Sequence, residues 1–163
     1  MFSHCYLRVC SEEFIITNIN NLKAHLTNYS FNKRHFQQPA ESVIDQDAFQ
    51  DMLLHERGVD FKATVRPKIK DIIIQSIKST QHLISDCGQA CFSLLGYDIL
   101  LDDDCEPWLL EVNMSPACEE RTDWLRTYLD VMGRNLLKIV LPDSYINNAV
   151  RPSGRASELP SRK

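Results

Sequence analysis

The sequence predicts an α+β fold in which a mainly antiparallel sheet packs against helices, and three observations carry that expectation. Residues 92–113 hold two apolar runs joined by the acidic turn Asp103-Asp104-Cys105-Glu106, which is the pattern of a hairpin. Residues 67–84 and 121–140 repeat apolar side chains at spacings of three and four, as amphipathic helices do. The N-terminal segments Cys5 to Val9 and Phe14 to Ile16 are rich in β-branched and aromatic residues and read as short strands. With 163 residues, 44% of them hydrophobic, the chain suffices for one packed domain.

After those strands, Asn18 to Leu22 reads as a polar turn. His25 to Lys33 reads as a strand end passing into a loop, and Asn32 to Asp45, with Pro39, as a surface loop. A helix is expected from Asp45 to Arg57, with Phe49, Met52 and Leu53 turned inward and Gly58 ending it. Pro67 suits the first turn of the next helix, which runs to Ile84. There Ile69, Ile73, Ile77 and Ile84 share a stripe beside Ile72. The last helix, Arg121 to Val140, carries Leu125, Leu129, Met132, Leu136 and Val140. Both long helices read as core-forming layers. From Pro142 the chain turns polar, with Pro152, Gly154 and Pro160, so residues 1–141 form the expected domain and 142–163 a disordered tail.

Composition narrows the function classes. No apolar run approaches the length of a membrane span, and the first residues lack the apolar stretch of a secretory signal. The six cysteines form no CxxC pair and read as ordinary thiols of a reducing compartment, with Cys87 and Cys91, four apart, the pair closest in sequence. Net charge is -4, yet Lys62, Arg66, Lys68, Lys70 and Lys78 give one segment a basic face. No aromatic platform or zinc finger accompanies that charge, so neither nucleic acid nor membrane is an expected partner.

The chemistry lies in the hairpin. If Asp102 pairs with Pro107 across a four-residue loop, Asp98 falls opposite Glu111 and Gly96 opposite Asn113. Side chains two apart share a face, so Asp98, Glu111 and Asn113 project to one side. Two facing carboxylates repel and call for a compensating cation. Carboxylate and amide oxygens are the donors that a hard divalent ion such as Mg²⁺ accepts.

At these residues the stretch LLGYDILLDDDCEPWLLEVNMSP resembles the metal-binding hairpin of the tubulin tyrosine ligase-like family. HLTNYSFNK, from His25 to Lys33, is similar to that family's other signature block. The resemblance runs from about Tyr6 to Leu141 and implies the C-terminal part of an ATP-grasp catalytic domain. It assigns Mg²⁺ (or Mn²⁺) to Asp98, Glu111 and Asn113, and ATP to Thr27 and Asn28. Arg8, Tyr29 and Ser30 would then meet the incoming amino acid. A guanidinium suits that task, because its planar fork meets a carboxylate bidentately. No side-chain nucleophile is implied.

The implied reaction adds glutamate or glycine to tubulin carboxylates through an acyl phosphate. Tubulin, microtubules and the free amino acid are then the partners, in the cytoplasm and cytoskeleton and in the cilium or flagellar axoneme. Two departures qualify it. The family's preceding region, which holds the lysines gripping the nucleotide phosphates, has no counterpart here, so a fragment is expected, and a catalytically inactive, truncated microtubule-binding pseudoenzyme is the alternative. The lysine that glutamate-adding members place after this block is also missing: after Lys33 the next lysine is Lys62, which makes glycine a serious competitor.

Overall fold

The computed structural model describes residues 1–36, 39–84 and 91–141. Its architecture is mixed: two separate two-stranded antiparallel sheets and a set of helices. The expected single, mainly antiparallel sheet is therefore two small ones among the described residues. The expected tail and Cys87 lie outside them.

The first sheet pairs β1 (Tyr6–Arg8) with β2 (Val43–Asp45), setting Tyr6 against Asp45 and Arg8 against Val43. Strand β2 falls in what the sequence suggested was surface loop. Phe14 to Ile16, expected as a strand, is instead exposed and leads into tight turns closed by Asn18 N–H to the Ile15 carbonyl at 2.8 Å. Strand propensity needs a neighbouring strand to pair with, and none of the described strands lies there. Glu12 ties this loop down by accepting from Asn21 and Lys23 at 2.8 and 3.0 Å.

The block from His25 to Lys33, expected to leave a strand, is helical. It spans the end of α1 (Leu22–His25) and all of α2 (Tyr29–Asn32), each about one turn. Asn21 caps α1 through its side chain, and Asn28 stands at the cap of α2 with its backbone carbonyl accepting from Phe31 and Asn32. Asn and Thr favour such local caps over extended backbone.

Helix α3 (Gln46–Arg57) has the predicted limits. Asp45 accepts from the backbone N–H groups of Asp47 and Ala48 at 2.8 and 3.1 Å, and Gly58 takes φ 66°, the left-handed stop. A π-helical turn at Phe61–Val65, capped by Asp60, leads into α4 (Arg66–Thr80), with Pro67 in its first turn. A 3₁₀ turn at Gln81–Leu83 replaces the expected continuation. Helix α5 (Asp123–Val140) starts behind Thr122, whose side chain caps it.

The core sits between α3, the π turn and the hairpin. Leu53, Phe61, Val65 and Cys105 are buried there, with Phe49, Val59, Ile69 and Leu101 packed around them. Helix α4 has no fully buried residue, and Ile77 and Ile84 are exposed. On α5 only Leu125 is buried. The periodicity is a true helix signal: Leu129, Met132, Leu136 and Val140 of α5 and Ile69, Ile72 and Ile73 of α4 are half-buried, Ile69 against the core, while the α4 stripe runs out into solvent at Ile77.

The hairpin joins β3 (Gly96–Leu101) to β4 (Pro107–Asn113). Gly96 pairs with Asn113 and Asp98 with Glu111, as predicted, but Leu101 rather than Asp102 pairs with Pro107. The loop is thus one residue longer than expected, and a bulge at Leu110 absorbs the difference. Within the loop Asp102 accepts from the backbone N–H groups of Asp104 and Glu106 and from the Trp108 indole at 3.0, 2.8 and 2.8 Å. Cys105 adopts φ 60°, which turns its side chain into the core. Lys68 on α4 pairs with Glu106 and Ser76 hydroxyl meets Tyr97 hydroxyl at 2.9 Å, so the hairpin is held at both ends.

These contacts make two stability tests possible. A Cβ on Gly96 would stand 2.7 Å from Pro116 Cβ, whereas one on Gly133 of α5 meets nothing within 4 Å. Gly96→Ala is expected to cost about 1–3 kcal/mol through overpacking, while Gly133→Ala gains about 0.5–1 kcal/mol in helix propensity, both measured by chemical denaturation. The Trp108 indole, joined by the loop N–H groups, holds the Asp102 carboxyl below its ordinary 3.8. A depressed carboxyl stabilises the fold above its unfolded value and loses that contribution as pH falls through the folded one. The stability gap between the native chain and Asp102→Asn is therefore expected to be constant above pH 3.8 and to close below it in denaturation curves.

Candidate functional site

The predicted site residues come from three chain segments. Strand β1 carries Arg8, the turn between α1 and α2 carries Thr27 and Asn28, and the hairpin carries Asp98, Glu111 and Asn113. Arg8, Thr27 and Asp98 line one cleft of about 300 Å³, whose walls include Tyr6, Leu7, Ile99 and Leu110. Asn28, Tyr29 and Ser30 do not line it, although α2 begins immediately beside Thr27.

The bulge decides the hairpin's geometry. Continued without it, the pairing at the turn would set Asp98 opposite Leu110 and put Glu111 on the other face. With Leu110 as the extra residue, Asp98 and Glu111 are direct partners and Asn113 lies two residues further along the same face. The Asn113 amide donates to Glu111 Oε1 at 3.1 Å. Glu111 is exposed and Asp98 half-buried.

Arg8 meets this cluster directly: its Nη2 stands 2.7 Å from Asp98 Oδ2. The family resemblance implies the amino acid for Arg8 and the metal for Asp98. The fold brings the two together. Two carboxylates and an amide, all hard oxygen donors on one strand-pair face, fit a magnesium-type ion in donor chemistry. Among the described residues no group of three His, Cys, Asp or Glu side chains stands ready to hold a metal, so the amide would be the third donor.

Three contributors carry no clear sign in the sequence. Asn32 is fully buried, and its Nδ2 donates to the Val9 carbonyl at 3.1 Å, tying α2 to the strand end beside Arg8. Its Oδ1 meets no hydrogen-bond partner among the described residues. Arg121 lies over the Tyr29 ring at 4.4 Å and pairs with Glu119 at 3.1 Å. In a run of charged residues it reads as surface charge. Pro116 closes over Gly96 and fixes how the chain leaves the site strand.

The basic face differs from its expectation. Lys62 pairs with Asp47 at 2.8 Å and Lys68 with Glu106, so two of its five cations are already matched. Arg66 and Lys70 remain at the mouth of a second cleft of about 340 Å³, shared with Met1, Lys62 and Pro67. Among the described residues no helix is long and apolar enough to cross a membrane.

Comparison with known proteins identifies the family. The model of the tubulin-tyrosine ligase family matches residues 1–148. The chain is 43% identical over 141 residues to tubulin glycylase 3E of Tetrahymena thermophila, covering 85% of the chain and 10% of that protein. It is 35% identical to tubulin glycylase 3F of the same organism, over 88% of the chain and 16% of that protein. With mouse tubulin monoglutamylase TTLL4 it shares 29% identity over 88% of the chain and 14% of that protein. The chain therefore spans a sixth or less of the length of these relatives. Matched along nearly all of its own length, it belongs to the tubulin-tyrosine ligase family.

Proposed function

We propose that this chain forms the metal- and amino-acid-binding part of an ATP-grasp ligase that adds an amino acid, glycine in preference to glutamate, to carboxylates of tubulin. The observation that carries the reading is the bulged hairpin, which sets Asp98 against Glu111 with Asn113 on the same face. In this reading those three residues hold Mg²⁺ or Mn²⁺, and Thr27 and Asn28 face the nucleotide. Bound there, the ion would neutralise phosphate oxygens of ATP. The γ-phosphoryl group passes to a tubulin carboxylate oxygen, giving an acyl phosphate and ADP. The amine of the amino acid then attacks the acyl carbon, phosphate leaves, and an amide forms with loss of the amine proton to solvent.

The chain's own part is placement and charge. Arg8 supplies the cation for the amino acid's carboxylate, and Tyr29 and Ser30 shape its pocket. Glycine is favoured because a side-chain carboxylate would need a second cation. The guanidinium that lies over Tyr29 belongs to Arg121, and Glu119 already pairs with it. The glycylase relatives support the same choice.

The test uses the protein that carries this chain, with tubulin, ATP, Mg²⁺ and labelled glycine or glutamate. Glycine incorporation is expected to exceed glutamate incorporation, and Glu111→Gln is expected to lower it about 100-fold or more, the usual scale for losing a group that stabilises transferring charge. Glutamate incorporation at an equal or greater rate would overturn the choice of amino acid, and an unaffected Glu111→Gln would overturn the metal assignment.

Acidic tubulin tails are the proposed docking partner of Arg66 and Lys70, which line the second cleft and, among the described residues, make none of the ion pairs that Lys62 and Lys68 make. Between about 50 and 200 mM salt the Debye length falls well below the span of such a tail, so co-sedimentation with microtubules is expected to weaken. Charge reversal at Arg66 and Lys70 should weaken it further than reversal at Lys68, which Glu106 already neutralises.

A further inference from the structure

Arg8 and Asp98 carry different duties in the proposed reading, yet they are bonded to each other. Nη2 of Arg8 and Oδ2 of Asp98 stand 2.7 Å apart, with side chains 27% and 29% exposed. They arrive from different sheets, β1 and β3, and both line the cleft that Thr27 also borders. Asp98 faces Glu111 across the hairpin, so its charge needs an answer in any state of the site.

Arg8 gives that answer when no metal is present. A divalent ion held between Asp98 and Glu111 gives a stronger one, and it also repels a guanidinium a few ångströms away. The carboxylate cannot serve both cations at full strength. Partial exposure keeps the ion pair weak enough to exchange, since solvent can take over its hydrogen bonds.

We propose that Arg8 is a two-position cation that orders substrate binding. It rests on Asp98 while the metal is absent. When metal takes Asp98, the guanidinium is released within the same cleft to receive the carboxylate of the incoming amino acid. Amino-acid binding is thereby made conditional on the metal-loaded nucleotide, and an empty site does not hold the amino acid unproductively. This inference rests on the metal and amino-acid roles proposed above and adds the coupling between them.

The coupling is measurable on the protein that carries this chain, without any turnover. Mn²⁺ alone is titrated by electron paramagnetic resonance into the native chain, Arg8→Gln, Arg8→Lys and Asp98→Asn, with circular dichroism to verify folding. Removing the competing cation is expected to tighten Mn²⁺ roughly two- to fivefold in Arg8→Gln, the ratio that a partly exposed ion pair supports. Arg8→Lys keeps the charge and should return the affinity toward the native value, and Asp98→Asn should abolish binding. Glycine is then titrated by NMR with and without Mg²⁺. The native chain should bind it more tightly with Mg²⁺, whereas Asp98→Asn, whose Arg8 is already free, should bind it equally well either way.

Asp98-dependent Mn²⁺ binding that Arg8→Gln leaves unchanged or weakens would overturn the coupling and leave the metal site standing. Glycine binding by the native chain that is indifferent to Mg²⁺ would do the same. Mn²⁺ binding that is absent, or equal in the native chain and Asp98→Asn, would overturn the metal assignment and the coupling with it.

Discussion

One extra residue in β4 sets the terms for the rest of the site. The turn from Asp102 to Glu106 pairs Leu101 with Pro107, a register that on its own would send Asp98 and Glu111 to opposite faces. The Leu110 bulge moves the strand on by one position, and the two acids meet. Facing like charges are unfavourable in a sheet, and more so where solvent is partly excluded. A structure that imposes this opposition must supply a cation. Here Arg8 supplies it from another sheet, which links β1 to β3 by charge where no backbone ladder joins them.

The anchoring of that hairpin is equally local. Cys105, in the left-handed conformation that a non-glycine residue rarely adopts, places its side chain among Leu53, Phe61 and Val65. Asp102 organises the loop from the outside with three accepted hydrogen bonds. The turn is thus pinned to the core, with Leu101 and Pro107 beside it, while other apolar side chains of the strands remain open. Leu100, Trp108 and Leu110 are 54%, 60% and 63% exposed. With a core of so few residues, the chain positions its chemistry through polar contacts more than through apolar burial.

Much of this is legible in the sequence, for identifiable reasons. Helix α3 is bounded correctly because Asp45 and Gly58 have cap chemistry that depends only on neighbouring backbone. The opposition of Asp98 and Glu111 is also read correctly, although by two errors that cancel: a loop one residue too short and a bulge not foreseen. An apolar residue inside an apolar run gives no sign that it is the bulged one. Strand β2 and the helical form of the HLTNYSFNK block escape the sequence because both depend on tertiary partners, such as the Asn32 amide on the Val9 carbonyl. The periodic helices are found, but periodicity reports an apolar face and not its cover.

The contacts invisible in the sequence share a character that bears on mechanism. Asn32 holds the end of β1 from α2, Arg121 holds Tyr29 from the start of α5, and Pro116 closes over Gly96. Each joins two of the three segments that supply the site, or ties one of them to the chain beyond. Arg8, Thr27 and Asp98 are far apart in sequence, so their meeting in one cleft depends on such ties. Among the described residues, the Arg8–Asp98 pair ties two of these segments through the site residues themselves. Its strength therefore belongs both to the folded state and to the chemistry. A metal that displaces Arg8 removes a link between β1 and β3, and it must replace that link through whatever Arg8 binds next. In the proposed reading, the amino acid's carboxylate restores the bridge: metal on Asp98, nucleotide beside Thr27, and substrate on Arg8. The cleft would then be held together most firmly when every reactant is in place, which is where a ligase needs its rigidity.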